Sequence, residues 1–380
     1  MFSSRLNTSA EVNRITRRLG ELRAAGTSIL DLTESNPTRA GIVYPATEIA
    51  RLLSDARSLT YQPEPAGLPA AREAVARYYA ERGESVDPGR ILLTASTSEA
   101  YAWLFKLLAD PGDEVLAPRP SYPLFDYLAA LESVRVVQYP LVYHGAWTID
   151  PDALRNAITP RTRAIVVVNP NNPTGSFLKR DEYETLVRLC LDRDLAIVSD
   201  EVFSDYALTD DPRRIPTLAA ADDAPIFALS GLSKIAGLPQ IKLGWMVVNR
   251  PEAMARLEFI ADTYLSVSAP AQWAAAGLLA LRASIQSQIH ARLRQNLQTL
   301  HERFGPESPM RVLHVEGGWY AIVQVPRVRS EEAWALALLE QKHVLVQPGY
   351  FYDFEAEAFL VVSLLTPQTA FAEGIAEWTT

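Results

Sequence analysis

The chain has 380 residues, 48% hydrophobic and 21% charged, a length above one ordinary core and a composition that excludes long disordered tails. Its net charge of −9 and isoelectric point near 5.2 disfavour nucleic acid and anionic membrane surfaces as main partners. Cys190 is the only cysteine, which excludes an intrachain disulfide or a cysteine-based metal cluster and fits a reducing cytoplasm.

Thr8 and Glu11 match a capping box ahead of an apolar stripe, Val12, Ile15, Leu19 and Leu22, so the chain is expected to open on an amphipathic helical arm. Its charges from Arg5 onward leave no apolar signal-peptide core, and no later apolar run approaches the roughly 20 residues that span a bilayer. A cytoplasmic protein is expected. A turn-rich segment follows, Asp31 to Asn36-Pro37-Thr38. From residue 67 onward helices alternate with short apolar strands: a helix over 68–82, then strands at 91–93, 115–117, 134–137, 164–168, 196–198, 226–229 and 243–248. That alternation predicts a mostly parallel sheet covered on both faces. Tyr183, Leu186, Val187, Cys190 and Leu191 fall at helical spacing, which makes Cys190 a core residue. Long helices over 251–303 lead to a smaller α/β unit, with strands near 311–315, 319–325, 344–346 and 359–364 and a helix over 331–342. The five histidines, at 144, 290, 301, 314 and 343, show no metal-ligand spacing, so no metal site is expected. His144, beside Gly145, is expected in a solvent-facing loop, and Trp103, Phe105 and Trp273 in the core or an interface.

In an open parallel sheet, ligands bind beyond the carboxyl ends of the strands, so the loops there carry the chemistry. Thr94-Ala95-Ser96-Thr97-Ser98-Glu99 leads from a strand into a helix whose free amides suit a phosphate, and it also fits a plain helix cap. Asn169-Pro170-Asn171-Asn172-Pro173-Thr174-Gly175 fixes asparagines at a strand end. Asp200 ends another apolar strand and needs a cation or hydrogen bonds. Ser233-Lys234 follows a fourth. Its lysine, among small and turn-forming residues, is a candidate Schiff-base amine, and taken alone it also fits a capped loop lysine.

Together, in this order and at this spacing, these motifs resemble the class I/II aminotransferases of fold type I, which use pyridoxal 5′-phosphate (PLP), over roughly residues 30 to 365. The resemblance implies an α/β fold: a large domain with a mostly parallel seven-stranded sheet between helices, plus a small α/β domain. It divides the chain into an arm and part of the small domain (1–45), the large PLP-binding domain (46–280) and the small C-terminal domain (281–380). Lys234 then holds PLP and shuttles the substrate proton, Asp200 pairs with the ring nitrogen, Asn172 bonds the 3-hydroxyl and Tyr122 stacks on the ring. Ser96, Thr97, Ser98 and Ser233 form the phosphate cradle, and Tyr61 reaches the phosphate of the neighbouring subunit in a homodimer with shared sites. The implied reaction moves an amino group from an amino acid or amine to a 2-oxo acid by ping-pong chemistry, with Asn36 and Asn172 on the substrate. A PLP lyase or decarboxylase on the same scaffold, or a PLP-binding regulatory module, is the alternative.

Three positions depart from the family pattern. Phe203 stands where a tyrosine usually contacts the cofactor oxygen, so the Schiff base of Lys234 is expected to titrate higher than in relatives with the tyrosine. Lys242 stands where an arginine usually grips the phosphate, which keeps the charge and loses the bidentate fork. Val361 stands two residues before Ser363, where an arginine usually grips the substrate α-carboxylate. Either Lys242, Arg39, Asn36 or Lys342 replaces it, or the substrate lacks that group. Trp319 or Tyr320, after Gly317-Gly318, could border the substrate.

Overall fold

The computed structural model describes residues 3–6 and 12–379, so the Thr8/Glu11 capping box lies outside the described residues. In chain order come α1 (Arg14–Ala24), β1 (Leu30–Asp31), α2 (Ala46–Leu53), α3 (Pro69–Ala80), β2 (Ile91–Thr94), α4 (Thr97–Leu108), β3 (Glu114–Arg119) and α5 (Leu124–Leu131). Next are β4 (Arg135–Tyr143), β5 (Trp147–Ile149), α6 (Pro151–Ala157), β6 (Thr162–Val168), α7 (Arg180–Arg193), β7 (Ala196–Asp200), β8 (Ile226–Gly231), α8 (Leu232–Ile235) and β9 (Gly244–Val248). The chain finishes with α9 (Pro251–Tyr264), α10 (Ala269–Arg303), β10 (Arg311–Val312), β11 (Tyr320–Gln324), α11 (Glu331–Lys342), β12 (Val344–Leu345), β13 (Gln347–Pro348), β14 (Phe359–Ser363) and α12 (Gln368–Ala376).

The large sheet runs β2-β9-β8-β7-β6-β3-β4-β5. Strands β8, β7, β6, β3 and β4 are parallel neighbours. β9 is antiparallel to both β8 and β2. Two reversals restore the direction, so the carboxyl ends of β2, β3, β6, β7 and β8 open on one edge. The sheet has eight strands where the sequence suggests seven. The extra strand is β5, a three-residue return from the turn at Gly145, where His144 N donates to Ala146 O at 3.0 Å. His144 is exposed, as expected of a loop residue.

Strand residues alternate between two cores, as a pleated sheet covered on both faces requires. Val166, Val198 and Leu229 pack with Leu104, Phe105 and Leu257 of α4 and α9. Ile165, Ile197 and Ile226 pack with Leu186 and Cys190 of α7, so the lone thiol is core. Each such aliphatic side chain contributes about 1.5–3 kcal/mol by burial. A third cluster runs from α3 and α10 into the small sheet, β10-β11-β14-β13. β12 does not join that sheet. It pairs in parallel with β1, so the segment after the first helix packs with the C-terminal elements. The long helix α10, 35 residues, passes unbroken through residue 280. Among the described residues no helix is long and apolar enough to cross a membrane.

Candidate active site

Five strand ends meet at one edge of the large sheet. After β2, Ser96 caps α4: its Oγ accepts from Glu99 N at 3.2 Å, and Glu99 turns back to accept from Ala95 N at 2.7 Å. The amides of Thr97 and Ser98, at the first two helical positions, have no acceptor within the helix and form the positive end of its dipole. β9 approaches this loop closely, since a Cβ on Gly244 would lie 3.1 Å from the carbonyl carbon of Ser96.

Asn171 ties two of the loops together. Its Nδ2 donates to Pro120 O at 2.9 Å, and its Oδ1 accepts from Ser121 Oγ at 3.1 Å. This link sets Tyr122, which is 48% exposed at the mouth of the site, against the asparagine loop. Asn169 is spent on its own loop, donating to Ile215 O at 2.8 Å and accepting from Leu178 N at 2.9 Å. Asn172 differs, because its buried Oδ1 has no partner. A buried amide without a partner is a site waiting for a polar ligand atom.

Asp200, at the end of β7, accepts from Val202 N at 3.2 Å and from the hydroxyl of Tyr101 at 3.1 Å. Burial pushes its carboxyl up to about 6, against the pull of those hydrogen bonds and of the Lys234 charge. Lys234 is held on α8, where its backbone carbonyl accepts from Tyr206 OH at 2.6 Å. Its Nζ lies 4.9 Å from the ring centroid of Trp319 and 5.4 Å from that of Phe203. Burial lowers this amine to about 8, opposed by Asp200. A lysine so poised has a reactive neutral fraction near neutral pH.

Other singled-out residues fall at various distances from this centre. Ser233 adjoins Lys234 and is partly open, while Lys242 is exposed in a left-handed turn at φ 56°. Asn36 lies on a loop tied to the small sheet: Ser363 Oγ donates to Glu34 O at 2.7 Å, and Asn36 Oδ1 accepts from Thr38 Oγ1 at 2.7 Å. Arg39 is exposed, and Lys342 is engaged by Glu377 3.6 Å away. Val361 is fully buried between Ile322 and Gln347, so no cation stands at that point of β14. Tyr61 is 81% exposed and lines an open cleft of about 330 Å³ with Trp103, Leu265 and Gln272. Trp103 and Phe105 are core, and Trp273 packs under Arg57 at 4.1 Å.

Sequence reasoning missed Tyr101, which reads as one more aromatic in the buried stripe of α4. It also missed an ion cluster behind the asparagine loop. Glu316 accepts from Lys179 Nζ at 2.6 and 2.8 Å and from Arg214 Nε at 3.2 Å, with all three side chains at most 9% exposed. Gly317 and Gly318 then pass close against the loops that follow β6 and β7. A Cβ on Gly317 would lie 2.6 Å from Tyr206 O, and Gly318 N donates to the same carbonyl at 2.9 Å. This strap delivers Trp319 to Lys234, and Tyr320 to Phe203 with ring centroids 6.4 Å apart.

The residues fit a phosphorylated pyridine aldehyde: free helix amides for the phosphate, an unpartnered amide at Asn172, a carboxylate at Asp200 and a partly neutral amine at Lys234. Residues 27–370 match the family model described as aminotransferase class I and II. The chain is 28% identical over 363 residues to the glutamate-pyruvate aminotransferase AlaA of Escherichia coli, covering 92% of this chain and 89% of the relative. It is 28% identical over 353 residues to the aspartate/prephenate aminotransferase of Thermus thermophilus, covering 92% and 89%. Among solved structures, the alanine aminotransferase of Pyrococcus furiosus superposes with a TM-score of 0.88 at 25% identity, over 100% of this chain and 98% of that one.

Proposed function

The chain belongs to the class I and II aminotransferases, whose members use pyridoxal phosphate, and on that premise we propose the roles of its residues in transferring an amino group from an amino acid to a 2-oxo acid. The observation that carries the proposal is Lys234: a lysine amine lowered to about 8, across a shared edge from a buried carboxylate. When bound, PLP supplies an electron sink conjugated to the reacting carbon. Lys234 holds the cofactor and moves the proton at the substrate Cα. Asp200 holds the proton of the ring nitrogen, Asn172 orients the ring through its 3-oxygen, and Tyr122 covers one ring face. Phe203 lies beside Lys234 as an apolar wall. The amides and hydroxyls of Ser96, Thr97 and Ser98 take the phosphate, with Ser233 and Lys242 beside them. Asn36 and Asn172 contact the substrate.

The assembly is a cytoplasmic homodimer with shared sites, in which Tyr61 reaches the phosphate of the other subunit. Leu59 and Tyr61, 88% and 81% exposed on one segment, support that contact. The chain divides into a large domain over 46–280 and a small one built from 281–380 with part of 1–45, α10 linking the two.

The test is a stopped-flow absorbance scan of the PLP-loaded enzyme against amino acids and amines without an acceptor. A donor should bleach the visible band, and a 2-oxo acid should restore it. Release of ammonia or carbon dioxide with the band unchanged would overturn amino transfer in favour of lyase or decarboxylase chemistry. The donor that reacts also shows whether an α-carboxylate is needed opposite Val361.

A further inference from the structure

We infer that Tyr101 is a positioning residue that keeps Asp200 ionised and aimed at the cofactor ring. Tyr101 sits on α4, one turn beyond the phosphate loop, and is 2% exposed. Its ring is locked by an edge contact with Phe125 at 5.3 Å and a tilted contact with Phe105 at 5.9 Å, so the hydroxyl has one direction to point. It donates to Asp200 Oδ2 at 3.1 Å. Oδ1 of the same carboxylate takes the amide of Val202 at 3.2 Å. The two donors lie on different oxygens and fix the plane of the carboxylate. A carboxylate accepting such bonds favours its charged form, which opposes the cost of burying it.

Few other groups act on Asp200. From α8, Lys234 faces it with a positive charge. Tyr139 of β4 lies behind Tyr101, its own hydroxyl committed to Val166 O at 2.8 Å. Glu201, next in the chain, is occupied by Ser199, Thr217 and the amide of Leu218. Burial and the charge on Asp200 push the Tyr101 phenol well above its usual range, so it remains a donor throughout the working pH range.

The hydroxyl therefore widens the pH range over which the ring nitrogen meets an anion rather than a neutral acid. Without it the carboxyl takes up a proton at higher pH, and a neutral Asp200 holds the ring nitrogen less well.

This inference rests on Asp200 being the ring-nitrogen partner, and the test separates the two. The apoprotein, as wild type, Y101F and D200N, is titrated with PLP by fluorescence quenching between about pH 5 and 9. Tyr101→Phe keeps the ring and its packing. The acid limb of its affinity profile should move up by about one to two pH units. At pH 6 it should bind about tenfold more weakly than wild type, with affinities converging at alkaline pH. An equal loss at every pH would mark a merely structural role and overturn the inference. So would a Y101F profile that coincides with wild type while D200N loses the limb. A D200N profile like wild type would instead overturn the assignment of Asp200 itself.

Discussion

Replacing Glu316 by alanine tests the ion cluster that holds the strap beneath Lys234. The carboxylate is 3% exposed and receives Lys179, Arg214 and, at 3.3 Å, the amide of Phe177. Removing it leaves two adjacent cations in a site nearly closed to water, and breaking a buried pair in this way costs about 3–5 kcal/mol. An unfolding entropy of about 2.1 cal/mol/K per residue gives about 0.8 kcal/mol/K for this chain, so Tm should fall by about 4–6 °C. Lys179→Met removes one cation and leaves Glu316 with Arg214 and the Phe177 amide, so it should cost about 1–2 kcal/mol and shift Tm by about 1–3 °C. Calorimetry of the loaded enzyme reads both, and near-ultraviolet circular dichroism reads Trp319, which the strap carries to within 4.9 Å of Lys234. An E316A protein melting within about 1 °C of wild type, with the tryptophan signal unchanged, would refute the idea that this cluster fixes the strap.

Two further outcomes concern protons. Capture of PLP by the apoprotein, followed by borohydride reduction, should label Lys234 alone, with a rate rising through a midpoint near the lowered amine value of about 8; a K234A chain that is still labelled would disprove the assignment. Burial pushes the Glu201 carboxyl from 4.5 up to about 7, so the folded state holds a proton that the unfolded chain gives up. Stability of the apoprotein from this group is therefore present below the unfolded value and lost as pH rises through the folded one, by of order 3 kcal/mol. Asp200 acts with the same sign. Glu201→Gln should flatten the dependence, and an unchanged slope in denaturant melts would count against it.

Much of the site is legible because each key residue ends an apolar run. Lys234, Asp200 and Asn172 are polar groups at the ends of buried strands, where nothing but function or a compensating partner justifies them, and the parallel sheet brings those ends to one edge. Tyr101 stays hidden for the opposite reason. Aromatics at core spacing look like packing, and the polar handle shows only when its partner is in place. The Glu316 cluster depends on pairings 137 and 102 residues apart, beyond any local pattern. β5 is too short to signal itself, and the pairing of β12 with β1 joins Val344–Leu345 to Leu30–Asp31, a contact no window of sequence contains.

The return strand β9 has a consequence for the lysine. Gly231 pairs with Gly244, and Leu232 N donates to Leu243 O at 2.9 Å, so the segment carrying Lys234 leaves the sheet and re-enters it at the same rung. The lysine therefore rides on a closed noose rather than a free arm. Changing the length of the noose between residues 236 and 241 would tilt the amine while leaving the sheet register intact. Residues 236–238 of that noose are buried, and Gly237 O accepts from Tyr44 OH at 2.7 Å, so packing holds the length of the noose and with it the reach of the amine.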